Sequence, residues 1–164
     1  MNLNKYKIII LFSITLLFFS SIYSVDLKTA FNFTFKDKLG KQITLKEYSK
    51  NNTTIIFFWS VCCAKEELPV INQLFKKYDE RGLNLVLIST DKGASLSKAK
   101  NFLKMANIKG KAIFDKNGKI YRKYRGGFTK PVFLIINKEM KIEFRHDGHA
   151  SKQFYEKAIM KYLK

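Results

Sequence analysis

Residues 53–69 read Thr-Thr-Ile-Ile-Phe-Phe-Trp-Ser-Val-Cys-Cys-Ala-Lys-Glu-Glu-Leu-Pro, and their character changes halfway along. Thr53–Trp59 is β-branched and aromatic without alternation, the pattern of a strand covered on both faces and therefore central in its sheet. Over residues 64–81 the apolar side chains Leu68, Ile71, Leu74, Phe75 and Tyr78 recur at helical spacing, with Gly82 as a C-terminal stop. Pro69 falls inside that predicted helix and is expected to kink it. Between strand and helix stand Cys62 and Cys63, and the chain has 2 cysteines in all.

Outward from this junction the same alternation continues. Toward the N-terminus, Phe31-Asn-Phe-Thr-Phe alternates like a half-buried strand, and a turn at Asp37-Lys-Leu-Gly-Lys leads into Gln42-Ile-Thr-Leu, which predicts a hairpin. Toward the C-terminus, Leu83–Ser89 is a second buried strand. Ser95 is then expected to cap a helix with Leu96, Ala99, Phe102, Leu103 and Ala106 on one face. Ala112-Ile-Phe, the run 131–137 and the run 140–145 supply further strands, the last two as a hairpin, and Ser151 caps a final helix carrying Phe154, Tyr155, Ala158, Ile159 and Leu163. The expected fold class is α/β, a mixed central sheet with helices on both faces and an N-terminal β-hairpin.

The 164 residues suit one domain with a sizeable core. Residues 1–24 read as targeting: Lys5 and Lys7 form a basic opening, residues 8–19 are almost wholly apolar, and Ile22-Tyr-Ser offers a cleavage site. At ~1.5 Å per residue, positions 8–23 would make about 24 Å of helix against a hydrocarbon core of ~30 Å, which favours a cleaved signal over a membrane anchor. The folded domain is then residues 27–164, and its expected place is extracytoplasmic or periplasmic. Net charge is +18, but the lysines are scattered in ones and twos and no nucleic-acid motif is present, so nucleic acid is excluded as partner. Contact with an anionic membrane surface fits better.

Adjacent Cα atoms lie ~3.8 Å apart, short of the usual 4.4 to 6.8 Å of a disulfide, so Cys62 and Cys63 are no ordinary structural staple. At the end of a central strand and the start of a helix, the positive helix terminus would favour thiolate over thiol. The plain alternative is two small buried residues at a strand end.

On these residues the chain resembles a known family. Ile55-Ile-Phe-Phe-Trp-Ser-Val-Cys-Cys followed by Glu67-Leu-Pro looks like the active-site segment FWAxWCxxCxxExP of TlpA/ResA-like thiol-disulfide oxidoreductases, which belong with the AhpC/TSA proteins. Asp115-Lys-Asn-Gly through Tyr124 resembles that family's DxxGxxxxxY stretch, and Pro131-Val-Phe-Leu-Ile-Ile-Asn its PTTFLID. The resemblance implies a thioredoxin-like fold, no cofactor, and a protein thiol or disulfide as substrate, with a membrane redox partner a further possibility. Carried across, Trp59 is the segment's aromatic, Cys63 the attacking cysteine, Glu67 the buried carboxylate near the thiol, and Pro131 a cis-proline that leaves the Lys130 backbone free for an extended peptide.

The departure is at the second cysteine: Cys63-Ala-Lys-Glu places Glu66 where a resolving thiol belongs. Counting back from Pro69 puts the family's cysteines at Val61 and Ala64, so two residues have been lost. Cys62 is then the candidate resolving thiol, through a vicinal disulfide. Ser60-Val-Cys-Cys-Ala-Lys-Glu also resembles the core of one-cysteine peroxiredoxins, an alternative reading as a peroxidase. A third alternative is a non-catalytic or metal-handling binding protein, in which His146 and His149 approach the cysteines to hold copper(I) or zinc; solvated loop histidines are the expectation. Lys65 and Lys130 would favour a nearby thiolate, and Glu66 and Glu67 would disfavour it.

Overall fold

The computed structural model describes residues 28–37, 39–127 and 129–163. The expected targeting segment, residues 1–24, lies outside these residues, and among them no helix is long and apolar enough to cross a membrane.

The unbroken apolar run becomes β3 (Thr53–Trp59), in the middle of a five-stranded sheet ordered β5-β4-β3-β6-β7. β4 (Leu83–Ser89) and β5 (Lys111–Phe114) run parallel to their neighbours; β6 (Val132–Ile136) and β7 (Ile142–Asp147) are antiparallel. Because side chains alternate across a strand, the two faces have separate cores. Ile55, Phe57, Trp59, Leu85, Leu87, Phe133 and Ile135 face α2 (Glu67–Tyr78), α3 (Ala94–Met105) and α5 (Lys152–Tyr162). Ile56, Phe58, Val86, Ile88, Val132, Leu134 and Ile136 face the hairpin β1 (Thr34–Lys36) and β2 (Gln42–Thr44), α1 (Leu45–Ser49) and α4 (Lys119–Lys123). The three long helices thus share one face, while the hairpin and two single-turn helices close the other.

Three local expectations are corrected. Pro69 does not kink α2: the helix starts only at Glu67, so the proline lies in the first turn, where its missing N–H has no intrahelical partner to lose. Ser95 does not cap α3, whose N-cap is Gly93 at φ 52°. Residues 42–45 do not form one strand, because Thr44 and Glu47 exchange side-chain and backbone hydrogen bonds in a capping box that starts α1 at Leu45. Ser151 caps α5 as expected, accepting from the Phe154 amide. Gly82, at φ 83°, ends the 3₁₀ turn after α2 in the left-handed conformation that favours glycine.

Candidate active site

The parallel strands β3, β4 and β5 deliver their C-terminal ends to one edge of the sheet, and the 60–66 turn projects there. The Cys63 and Ala64 amides both donate to the Ser60 carbonyl, at 3.1 and 3.0 Å, so the chain closes on itself before α2 begins. This corrects the expectation that a helix terminus acts directly on the cysteines. The turn through Glu66 separates them from the first α2 amides, and the dipole's influence is confined to the end turn.

Cys62 and Cys63 are joined to one another as a vicinal disulfide, and both residues are exposed. Ser60 Oγ lies 3.2 Å from Cys62 Sγ. The turn is pinned from β4 by Asp91, only 6 % exposed: its carboxylate accepts from the Val61 amide at 3.1 Å and from Ser89 Oγ at 3.0 Å. The Thr90 amide donates to the Trp59 carbonyl at 3.0 Å, a second tie between the two loops. Asp91 is the site residue that sequence reasoning left without a role, whereas Ser60 entered it as the hydroxyl of the peroxiredoxin-like segment. The signal available was a lone acid directly after a buried strand, where an unpaired carboxylate would be costly.

Trp59 is wholly buried and packs against Phe102, with ring centres 6.1 Å apart, so it supports the turn from beneath rather than lining it. The Lys130–Pro131 bond is cis, as the resemblance implies. β3 and β6 pair Phe58 with Val132, so Pro131 leaves the sheet at the same edge as the cysteines. The Pro131 carbonyl accepts from the Gly148 amide at 2.8 Å, which draws in the loop after β7. That loop brings His149 Nδ1 into contact with Glu67 Oε1.

Glu67 is buried, as expected, and its other oxygen has no hydrogen-bond partner among the described residues. Burial first, and the Glu67 carboxylate second, push the Tyr155 hydroxyl up to about 12. Glu66 is exposed and pairs with Lys65 at 3.7 Å, away from any role as a resolving group. Lys130 Nζ sits 5.3 Å from the centre of the Tyr121 ring.

The two histidines go to structural partners. His149 faces Glu67, and His146 packs against Phe154 with tilted rings 4.5 Å apart at their centres and lies 3.4 Å from the His149 carbonyl. Among the described residues no group of three or more His, Cys, Asp or Glu is gathered for a metal ion. Clefts of about 690 and 360 Å³ lie elsewhere, and neither is lined by a cysteine.

Residues 27–145 match the AhpC/TSA family. The chain is 31% identical over 136 residues to the thiol-disulfide oxidoreductase ResA of Bacillus thuringiensis subsp. konkukian, covering 82% of this chain and 76% of that protein. It is 30% identical, over the same shares, to the ResA of Bacillus anthracis. Among solved structures, a DsbE-type thiol:disulfide interchange protein from Chlorobium tepidum superposes with TM-score 0.71 at 24% identity, over 84% of this chain and 96% of that one. StoA from Bacillus subtilis superposes with TM-score 0.64 at 20% identity, over 79% and 97%. These two likenesses show a thioredoxin-like fold. The family match and the extent of identity to the ResA proteins together establish that the chain belongs to the AhpC/TSA family, in its TlpA/ResA-like group.

Proposed function

We propose that the protein is an extracytoplasmic thiol-disulfide oxidoreductase that acts on protein thiols through the Cys62–Cys63 pair, with the mixed disulfide on Cys63. The observation that carries this reading is an exposed pair of adjacent, bonded sulfurs on a pinned turn at the end of the central strand. The names of the ResA relatives support the reaction class. Residues 1–24 serve as export signal or membrane anchor, and residues 27–164 form the catalytic domain outside the cytoplasm. An anchor through residues 8–23 would hold it near a membrane redox partner.

In the oxidising direction a client thiolate attacks Cys63 Sγ. The Cys62–Cys63 bond breaks and its electron pair leaves on Cys62 Sγ, where the Ser60 hydroxyl can donate a hydrogen bond to the new thiolate. A second client thiolate then attacks the client sulfur of the mixed disulfide and Cys63 departs. The client dithiol is oxidised to a disulfide and the pair is reduced by two electrons. In reverse, Cys63 attacks a client disulfide and Cys62 resolves the intermediate, the part that a CxxC motif gives to its second cysteine. No cofactor enters, since the sulfurs carry the electrons.

The test is trapping with insulin as a disulfide client. Reduced wild type should accelerate insulin reduction by dithiothreitol; Cys62→Ser should accumulate a covalent insulin adduct on Cys63 that dithiothreitol releases; Cys63→Ser should form none. If neither variant forms an adduct and both wild-type thiols alkylate no faster than in denatured protein, exchange through this pair is excluded.

A further inference from the structure

Tyr121 joins the strand that leads to the cysteines with the segment that precedes Pro131. Its amide donates to the buried Asp115 carboxylate at 2.8 Å, which ties α4 to the end of β5. Its ring centre lies 5.2 Å from that of Phe58, the residue before Trp59 in β3, and an added Cβ at Gly126 would run into the ring. Its hydroxyl lies 3.1 Å from the Gly127 carbonyl and 3.0 Å from the Thr129 carbonyl, so one proton serves both. Tyr121 is 8 % exposed, whereas Gly127 and Thr129 are exposed. A buried phenol thus reaches outward to hold two carbonyls of a surface segment.

The Pro131 carbonyl is taken in turn by the Gly148 amide at 2.8 Å. Lys130, between these anchors, is half-buried, and its own amide and carbonyl have no hydrogen-bond partner among the described residues. Phe58 pairs with Val132, so this unpaired step stands at the strand ends from which the cysteine turn projects. A donor and an acceptor left open on one residue are what an extended chain pairs with. Gly126 and Gly127 give the segment no stiffness of its own, so the Tyr121 hydroxyl has a conformation to select. Holding it in advance removes an ordering cost from the binding step.

We infer that Tyr121 is a positioning residue for the client: its hydroxyl holds residues 127–129 so that the Lys130 backbone pairs with an extended, unfolded client segment beside Cys63. This rests on the exchange reading above and names its substrate class, thiols carried in extended chain rather than in helices. Main-chain hydrogen bonds supply the affinity, and Tyr121 acts on binding rather than on the sulfur chemistry.

The experiment follows opening of the Cys62–Cys63 disulfide in the oxidised protein by a short unstructured single-cysteine peptide, with dithiothreitol as a thiol that has no backbone. Tyr121→Phe should raise the peptide concentration at half-maximal rate roughly tenfold, while the maximal rate and the dithiothreitol rate stay within about twofold. Gly126→Ala, which keeps the hydroxyl but displaces the ring, should do the same. Tyr124→Phe removes a hydroxyl that bonds the Phe31 carbonyl instead, at 2.8 Å, and should leave the half-maximal concentration unchanged. A peptide N-methylated at the residues flanking its cysteine should bind wild type as weakly as the plain peptide binds Tyr121→Phe, and that variant should not distinguish the two. An unchanged half-maximal concentration in Tyr121→Phe, an equal rise in Tyr124→Phe, or equal behaviour of the plain and N-methylated peptides with wild type would overturn the inference. So would a loss of the dithiothreitol rate in Tyr121→Phe, which would make the tyrosine a support of the cysteine turn itself. Wild type separates the two levels: a disulfide that neither thiol opens removes the exchange reading and this inference with it, whereas normal opening by dithiothreitol without saturation by the peptide removes only the role of Tyr121.

Discussion

Ser60 and Asp91 govern the reactive turn from opposite sides. Asp91 fixes where the chain runs by accepting the Val61 amide, and Ser60 offers its hydroxyl to Cys62 rather than Cys63. In the proposed exchange that placement would give Cys62 the leaving role and Cys63 the client. A hydrogen bond to a developing charge is worth about 1.5 kcal/mol or more, so Ser60→Ala should slow opening of the disulfide by dithiothreitol about tenfold. The fold should be unaffected, since the hydroxyl makes no other hydrogen bond among the described residues. An unchanged rate would show that the hydroxyl does not contact the departing sulfur. Glu67 and Pro131 could be singled out because each matches a stretch of the family resemblance, and Cys62 and Cys63 because they are the chain's two cysteines and stand side by side. The partnership of Glu67 with His149 was not, because 82 positions separate them and only the return of the chain after β7 brings them together.

At the scale of elements, the turn between β3 and α2 decides where the helix begins. The segment from strand to helix is short, yet the turn that carries the cysteines keeps its hydrogen bonds to Ser60, and the helix starts at the Glu-Leu-Pro step instead. Pro69 is therefore an early-turn proline. Pro69→Ala should change the urea unfolding free energy by less than about 1 kcal/mol, in contrast to the gain that relieving a mid-helix proline would give, ~3 kcal/mol. A gain of that larger size would place the proline in a strained helix interior. The residue order had marked this helix from its 3.6-residue apolar repeat, but a repeat shows which face is buried and not which amide is first. The same limit explains α1: the Thr44 and Glu47 box stands in plain view, but the short apolar-polar alternation before it reads equally well as a longer strand.

Across the whole molecule, tyrosines are distributed through both cores, and burial is the leading cause of an upward shift in each of Tyr48, Tyr121, Tyr124 and Tyr155. For Tyr155 the value is about 12. The folded protein therefore keeps phenolic protons that the unfolded chain, titrating near ~10, gives up. The unfolded state then binds fewer protons, and stability is fully present below about pH 10 and falls as pH rises through about 12. The urea midpoint should drop between about pH 10 and 12, with tyrosinate absorbance lagging in the folded protein; a flat midpoint would mean that these hydroxyls are solvated. The residue order by itself determined the layered α/β architecture, because an apolar run without alternation can be satisfied only between two covering layers. It also marked the cysteine pair as no structural staple, because two neighbouring cysteines cannot brace distant parts of a chain. Only the tertiary structure decided the rest: that the long helices share one face, that Asp91 pins the cysteine turn, and that His149 meets Glu67. Those features depend on which strand ends lie side by side, a relation set by the sheet's crossover connections and by no local stretch of sequence.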